Sequence, residues 1–219
     1  MGSTSVSITD DPVTSHSFHR SELDSHADQC CVGKGTRILY EWPGRSVNVT
    51  PFLKTLGVAR DVPIVSAGLA YDSPDGRTHL MVVHQAIYFR DLDHNLLCPM
   101  QLRYAGVEVN EKPKHLCDSP SMEDHALKLQ DGLLIPLGIL GVTSYFSTRT
   151  PTEEEFSRFE DLEFGVEGRG VVDKFYYELT SSAPTWEPRS EEFSKREELM
   201  VDGDGDLRVK TQPISLFAM

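Results

Sequence analysis

The sequence predicts a mostly β domain, a barrel or a sandwich, and three observations carry that expectation. Short runs rich in β-branched and aromatic residues recur from about residue 19 to residue 147. Turn-forming Pro, Gly and Asp residues separate them at short intervals. Only one short stretch in that range carries helix start and stop signals. Many strands, frequent turns and little helix mark a layered or closed β architecture.

Residues 1–18 are rich in Ser, Thr and Asp without an apolar period, and read as a disordered leader. Thr36–Trp42 (TRILYEW) and Ser46–Leu53 (SVNVTPFL) read as strands, with Pro43-Gly44 as the turn between them. Pro63–Phe89 contains two apolar runs flanking Ser73-Pro74-Asp75-Gly76, where Pro and Gly suit the second and fourth positions of a type I turn. Pro99 opens a short helix that Gly106 closes, and Val107–Val109 returns to strand. A hairpin about Gln130-Asp131-Gly132 pairs His125–Leu129 with Leu133–Leu137, and an aromatic strand lies near Ser144–Ser147.

Beyond Pro151 the regular signal thins. Thr152 is a helix N-cap followed by three acids, Asp173–Leu179 reads as a strand, and Ser190–Met200 as a short helix in a tail. Of the formal net charge of −13, the stretch from Pro151 to Asp206 carries most, with 17 acids against 6 bases. The expected division is a leader over 1–18, a β domain over 19–147 and an acidic, partly disordered extension over 148–219.

That charge argues against a nucleic-acid surface, which needs clustered Lys and Arg. No apolar run approaches the roughly 20 residues that span a bilayer, and no secretory signal opens the chain. The four cysteines, Cys30, Cys31, Cys98 and Cys117, are too few for a disulfide framework and read as reduced, buried thiols. A cytoplasmic location, with no membrane partner, is the expectation.

The stretch SELDSHADQCCVG, Ser21–Gly33, holds the candidate chemistry: an acid, a hydroxyl, a small residue and a second acid, with His26 inside the string. Asp24-Ser25-His26-Ala27-Asp28 resembles the active-site turn of retroviral-type aspartic proteases, the retropepsins. A second block, Ala86–Val109 (AIYFRDLDHNLLCPMQLRYAGVEV), is similar to a segment of copia-type retrotransposon proteases. The two blocks lie in the family's order and cover about residues 20–110. The resemblance implies a retropepsin-like closed β-barrel with one short helix, working as a homodimer on a polypeptide substrate in a retrotransposon polyprotein. It also implies roles. Asp24 from each subunit forms a dyad that shares a proton, one carboxylate acting as base on water and the other as acid on the peptide carbonyl. Ser25 locks the two turns across the interface, Ala27 leaves room for substrate backbone, and Asp28 binds substrate main chain. The Ile64–Phe89 hairpin is the expected flap, and no cofactor is required.

His26 stands where the family carries Gly, and Glu22 where it carries an apolar residue. A protonated His26 beside the dyad is disruptive, because it stabilises both carboxylates as anions; a neutral one is a pH-dependent modulator. Three other readings compete. The string is a plain polar turn; His16, His19, His26, Cys30 and Cys31 gather a metal, without a recognised zinc spacing; or Cys30 is a nucleophile activated by His26. The acidic run Asp202–Asp206 lacks the Gly and acid positions of a calcium loop, with Leu207 and Pro213 there instead. A different class of function also fits the departures: a protease-derived β domain that no longer cleaves and acts as a dimerisation or protein-binding module.

Overall fold

The computed structural model describes residues 19–50, 55, 57–157 and 176–208; the predicted leader lies outside them. The strands are β1 (His19–Leu23), β2 (Cys31–Val32), β3 (Arg37–Val49), β4 (Ala59–Asp72), β5 (Thr78–Tyr88), β6 (Asn95–Leu97), β7 (Glu108–Asn110), β8 (Ala126–Lys128), β9 (Leu134–Pro136), β10 (Gly138–Leu140), β11 (Thr143–Thr148) and β12 (Tyr176–Glu178). Helix α1 spans Pro99–Tyr104 and α2 spans Glu191–Glu198. The mostly β expectation holds. Among the described residues no helix is long and apolar enough to cross a membrane.

Nine strands form one sheet in the order β10-β11-β1-β6-β2-β5-β4-β3, with β12 beside β5. Its end strands, β10 and β3, do not pair with each other among the described residues, so the closed barrel is replaced there by an open sheet. A second sheet, β7-β8-β9, contributes Val109, Leu127 and Ile135 to the same apolar core.

The β4–β5 hairpin is the middle of this core. Val65, Ala67, Leu69, Tyr71, Met81 and Val83 face the main cluster, while Ala70, Leu80 and Val82 face a second one with Leu39 and Tyr176. Covered on both faces, these strands read as continuous apolar runs rather than alternating ones. That burial overturns the flap expectation for Ile64–Phe89, since a lid must be free to move off the sheet. The turn between them follows local chemistry: the Gly76 N–H bonds the Ser73 carbonyl at 2.9 Å, and Gly76 takes φ +82°.

Pro43-Gly44 does not turn the chain back. β3 continues through it as one strand, and the pairing with β4 jumps from Glu41↔Val65 to Ser46↔Pro63. The dipeptide forms an irregular bulge, where a missing N–H and a positive φ are tolerated.

Helix α1 begins at Pro99 and ends in a Schellman motif. The Val107 N–H bonds the Leu102 carbonyl at 3.1 Å, and the Gly106 N–H bonds that of Arg103 at 3.0 Å. The Gly132 turn, with φ +89°, joins β8 to β9 in the predicted register. Thr152 caps the helical residues 153–157 as half of a capping box: its hydroxyl accepts from the Glu155 N–H at 3.3 Å, and the Glu155 carboxylate accepts from the Thr152 N–H at 2.8 Å.

The β structure runs on beyond residue 147. Strand β12 pairs parallel with Leu80–Val82 of β5, end to end with β2 along the same side of that strand. Tyr177, Leu179 and Trp186 belong to the main core. Of the strand predicted over 173–179, the first three residues lie outside the described ones.

Candidate functional site

Strand β1 delivers the Asp24 turn. It lies between β6, to which it runs parallel, and β11, to which it is antiparallel. The chain then turns over residues 24–30 and re-enters the sheet as β2, on the other side of β6. The turn therefore straddles the end of β6, and the Asp24 N–H is anchored to the Leu97 carbonyl at 2.9 Å.

Within the turn, the Asp24 carboxylate accepts the His26 N–H through Oδ1 at 2.9 Å, and the Asp24 carbonyl accepts the Ala27 N–H at 3.2 Å. One carboxylate oxygen is thus held by the backbone of its own turn. Asp24 is half-buried, Ser25 and His26 are exposed at the apex, and Ala27 leans on the core. His26 is not among the residues with positive φ, which besides glycines are Asp61, Gln85 and His125. The turn needs an N–H at this position and makes no demand for glycine's φ.

Asp28 is engaged from the far end of the chain. Its carbonyl accepts the Trp186 indole N–H at 3.0 Å, and its carboxylate pairs with Arg189. Trp186 in turn packs against Tyr104 of α1 and Phe193 of α2, at ring-centroid distances of 5.4 and 5.3 Å, in a cluster where the latter two rings also touch at 5.0 Å. A cavity of about 570 Å³ opens beside the turn, lined by residues from His26 to Gln29, by Arg45 and residues 47–50 at the end of the β3 arm, and by residues 186–190.

Several buried polar residues brace the turn that sequence reasoning did not single out. Gln101 of α1 accepts the Cys30 N–H at 2.8 Å, and the Cys30 sulfur accepts the Cys98 N–H at 3.2 Å. Asn95 of β6 accepts the Gly33 N–H at 3.1 Å and donates to the Ser21 hydroxyl at 3.2 Å. Ser21 continues the chain of bonds to Thr148 at 3.0 Å. The Gln85 carbonyl accepts from the Gln29 side chain. Asn95 and Gln101 both stand in the second sequence block, so the block was visible while the direction of its polar side chains was not. Gly33 is required by space: a Cβ there would lie 2.1 Å from the Leu92 carbonyl oxygen.

Glu22 has a local explanation. It is half-buried, pairs with Arg20 at 3.0 Å, and Arg20 reaches the His94 ring at 2.7 Å, so the strand position faces a polar patch.

The cysteine reading finds no support in these surroundings. Burial pushes the Cys30 thiol well above its ordinary pKa. Burial, with the Asp24 charge adding to it, pushes Cys31 up to about 11. Neither is poised as a thiolate. Of the metal reading's residues, His16 lies outside the described ones, and His19 bonds the Asp93 carbonyl at 3.0 Å. Among the described residues no three His, Cys, Asp or Glu side chains are gathered for a metal ion.

Set against known proteins, the chain matches no family model, no curated protein and no solved structure.

Proposed function

We propose that this protein is a retropepsin-like aspartic endopeptidase, which processes a copia-type retrotransposon polyprotein as a homodimer with Asp24 from each subunit as the dyad. One observation carries the reading: the Asp24 carboxylate sits on a braced turn at a strand end, bonded by its own backbone, and the later residues of that turn, His26 to Gln29, line an open cavity. A single carboxylate cannot be base and acid at once, so the mechanism requires a second copy. Two carboxylates that approach closely share one proton, and the pair then supplies both roles to a water and a peptide carbonyl. Ser25, exposed at the apex, is the group available to lock the second turn. The exposed end of the β3–β4 arm, bordering the same cavity, takes the flap role that the buried β4–β5 hairpin does not fill.

One observation favours a second reading, a protease-derived binding module without activity. Asp28, to which the resemblance gives substrate main chain, is engaged by Trp186 and Arg189 instead.

Cleavage of a mixed peptide library between pH about 4 and 7, which brackets a carboxylate pair and a histidine, separates the two. The expected result is cleavage by the dimeric wild-type chain and a loss of at least about 10³-fold in Asp24→Asn, since acid–base catalysis by positioned groups is worth about 10²–10⁴-fold for each. A folded dimer that cuts nothing, or that cuts equally well as the Asp24→Asn variant, transfers the function to the binding module.

A further inference from the structure

Three walls meet around the cavity that His26 to Gln29 of the turn line, and the third is supplied by a strap of residues 186–190 that returns from the far end of the chain. The apolar lining includes Val47 and Val49 of the arm, Ile64 and Ile87 of the sheet, and Trp186 of the strap, and the uncharged polar side chains of Gln29, Asn48, Thr50 and Ser190 share the wall with them. Charged groups around it have mixed sign, with Arg45 and Arg189 against Asp28 and Glu187. Such surroundings favour neither a cationic nor an anionic ligand side chain, and the apolar part of the lining penalises both.

The strap's two contacts with Asp28 differ in kind. Trp186 is 8% exposed and belongs to the main core, wedged against Tyr104 and Phe193. Just before it, the Gln85 side chain donates to the carbonyls of Ser181, at 3.1 Å, and Ala183. Arg189, by contrast, has an 85% exposed side chain, and an ion pair that open to water is weak. The indole is a fixed wall, while the guanidinium is held only by a solvent-exposed ion pair. Opposite the strap, β3 ends the sheet, so among the described residues its outer backbone edge is unpaired. Over Arg45–Val49, a strand edge open among the described residues and beside a cavity with an apolar wall is a geometry that takes an extended peptide, with main-chain bonds for affinity and the cavity for selectivity.

We propose that this cavity seats one uncharged, apolar side chain of an extended peptide laid along the β3 arm, and that Trp186, brought in by the C-terminal strap, determines that preference. The inference rests on the peptide-site reading of the Asp24 turn and names its substrate class.

Trp42 and Trp186 are the two tryptophans, so a Trp42→Phe, Asp24→Asn chain reports binding through Trp186 emission without cleavage. The probes are end-blocked pentapeptides Ala-Ala-X-Ala-Ala with Leu, Gly or Lys at the centre. The Leu peptide is expected to change the emission saturably, with the Gly and Lys peptides at least about tenfold weaker, the discrimination an apolar pocket achieves. Calorimetry with Trp186→Ala is expected to show the Leu preference reduced to less than about threefold. Val47→Asp, on the partly exposed arm and outside the core, tests the same cavity if the Trp variant loosens the strap, and is expected to abolish Leu binding. Equal affinity for Leu and Gly peptides, absence of saturable binding, or a Leu preference unchanged in both variants overturns the proposal. Asp24-dependent cleavage with no response to Trp186→Ala also overturns it, while leaving the aspartic mechanism intact. Leu-selective binding by a wild-type chain that never cleaves supports it and removes the aspartic mechanism.

Discussion

His26 occupies the apex of the candidate site at no backbone cost, because what the turn uses is its N–H, bonded to Asp24 at 2.9 Å, and its φ is not in the left-handed region. Its imidazole is exposed where a second copy must approach in the proposed dimer. His26→Gly is therefore expected to leave the fold within about 1 kcal/mol, the scale of a glycine's added unfolded-state freedom. Urea unfolding of the wild-type and variant chains checks this, and a clearly larger loss would show that the imidazole itself carries stability. His79 is a histidine of the opposite kind, 5% exposed, with neither ring nitrogen hydrogen-bonded among the described residues, stacked on Tyr71 and edge-on to Tyr177. Burial, with the Arg77 charge adding to it, lowers its pKa. The unfolded chain thus binds the proton more readily, and the stability tied to neutral His79 is present above the unfolded value near 6.5 and lost as pH falls through the folded one. Urea midpoints should drop between pH 7.5 and 5, and drop less in His79→Phe. An unchanged slope in that variant would clear His79 of the effect.

At the scale of elements, one arginine joins three of them. Arg149, just past β11, pairs with Asp72 at the end of β4 at 2.8 Å and with Glu155 of the capped helical turn at 2.7 Å. Its side chain is 9% exposed, and Arg149 holds the Glu155 carboxyl below the usual range. Removing the guanidinium takes from the half-buried Glu155 and the exposed Asp72 the buried cation they share, so Arg149→Met should cost about 3 kcal/mol near neutral pH, the low end for a broken buried pair. Because Glu155 is depressed in the folded state, its contribution is present above the unfolded carboxylate pKa and lost as pH falls through the folded one. The difference between wild type and Arg149→Met, followed by urea titration, should therefore narrow in acid; a constant difference would point to packing rather than charge. The two acids were unremarkable in the sequence because their common partner is 77 residues from one of them. The turns were legible for the converse reason. Gly76, Gly106 and Gly132 act on residues within five positions, and their φ values of +82°, +87° and +89° are those their turns require. Pro43-Gly44 shows the limit of that reading, since the same dipeptide suits a hairpin or a bulge and only the partner strand decides.

Across the whole molecule, the site is assembled from segments that no local pattern connects. Trp186 reaches Asp28 over 158 positions, out of a stretch whose acidic composition reads as tail. The Asp24 turn could be read from its own residues, but the strap on Asp28 and the interleaving of β6 between β1 and β2 depend on long-range pairing. The same topology bears on the dimer that the proposed dyad requires. Strand β11 runs antiparallel to β1 with Glu22 opposite Tyr145, and continuing that register brings Thr143 level with Asp24. The β10–β11 tip beside it exposes Ile139, Leu140 and Val142, the last completely, and among the described residues β10 ends the sheet with an unpaired edge. An apolar, unblunted edge favours pairing with another chain. Leu140→Asp combined with Val142→Asp places two like charges on that tip without touching the core, so the fold should be kept within about 0.5 kcal/mol, as for ordinary surface changes. Sedimentation should show the wild-type chain as a dimer and the double variant as a monomer, and peptide cleavage should disappear with the dimer. Cleavage by a variant that stays monomeric at every concentration would end the two-subunit dyad, because one carboxylate cannot hold and give the proton in the same step.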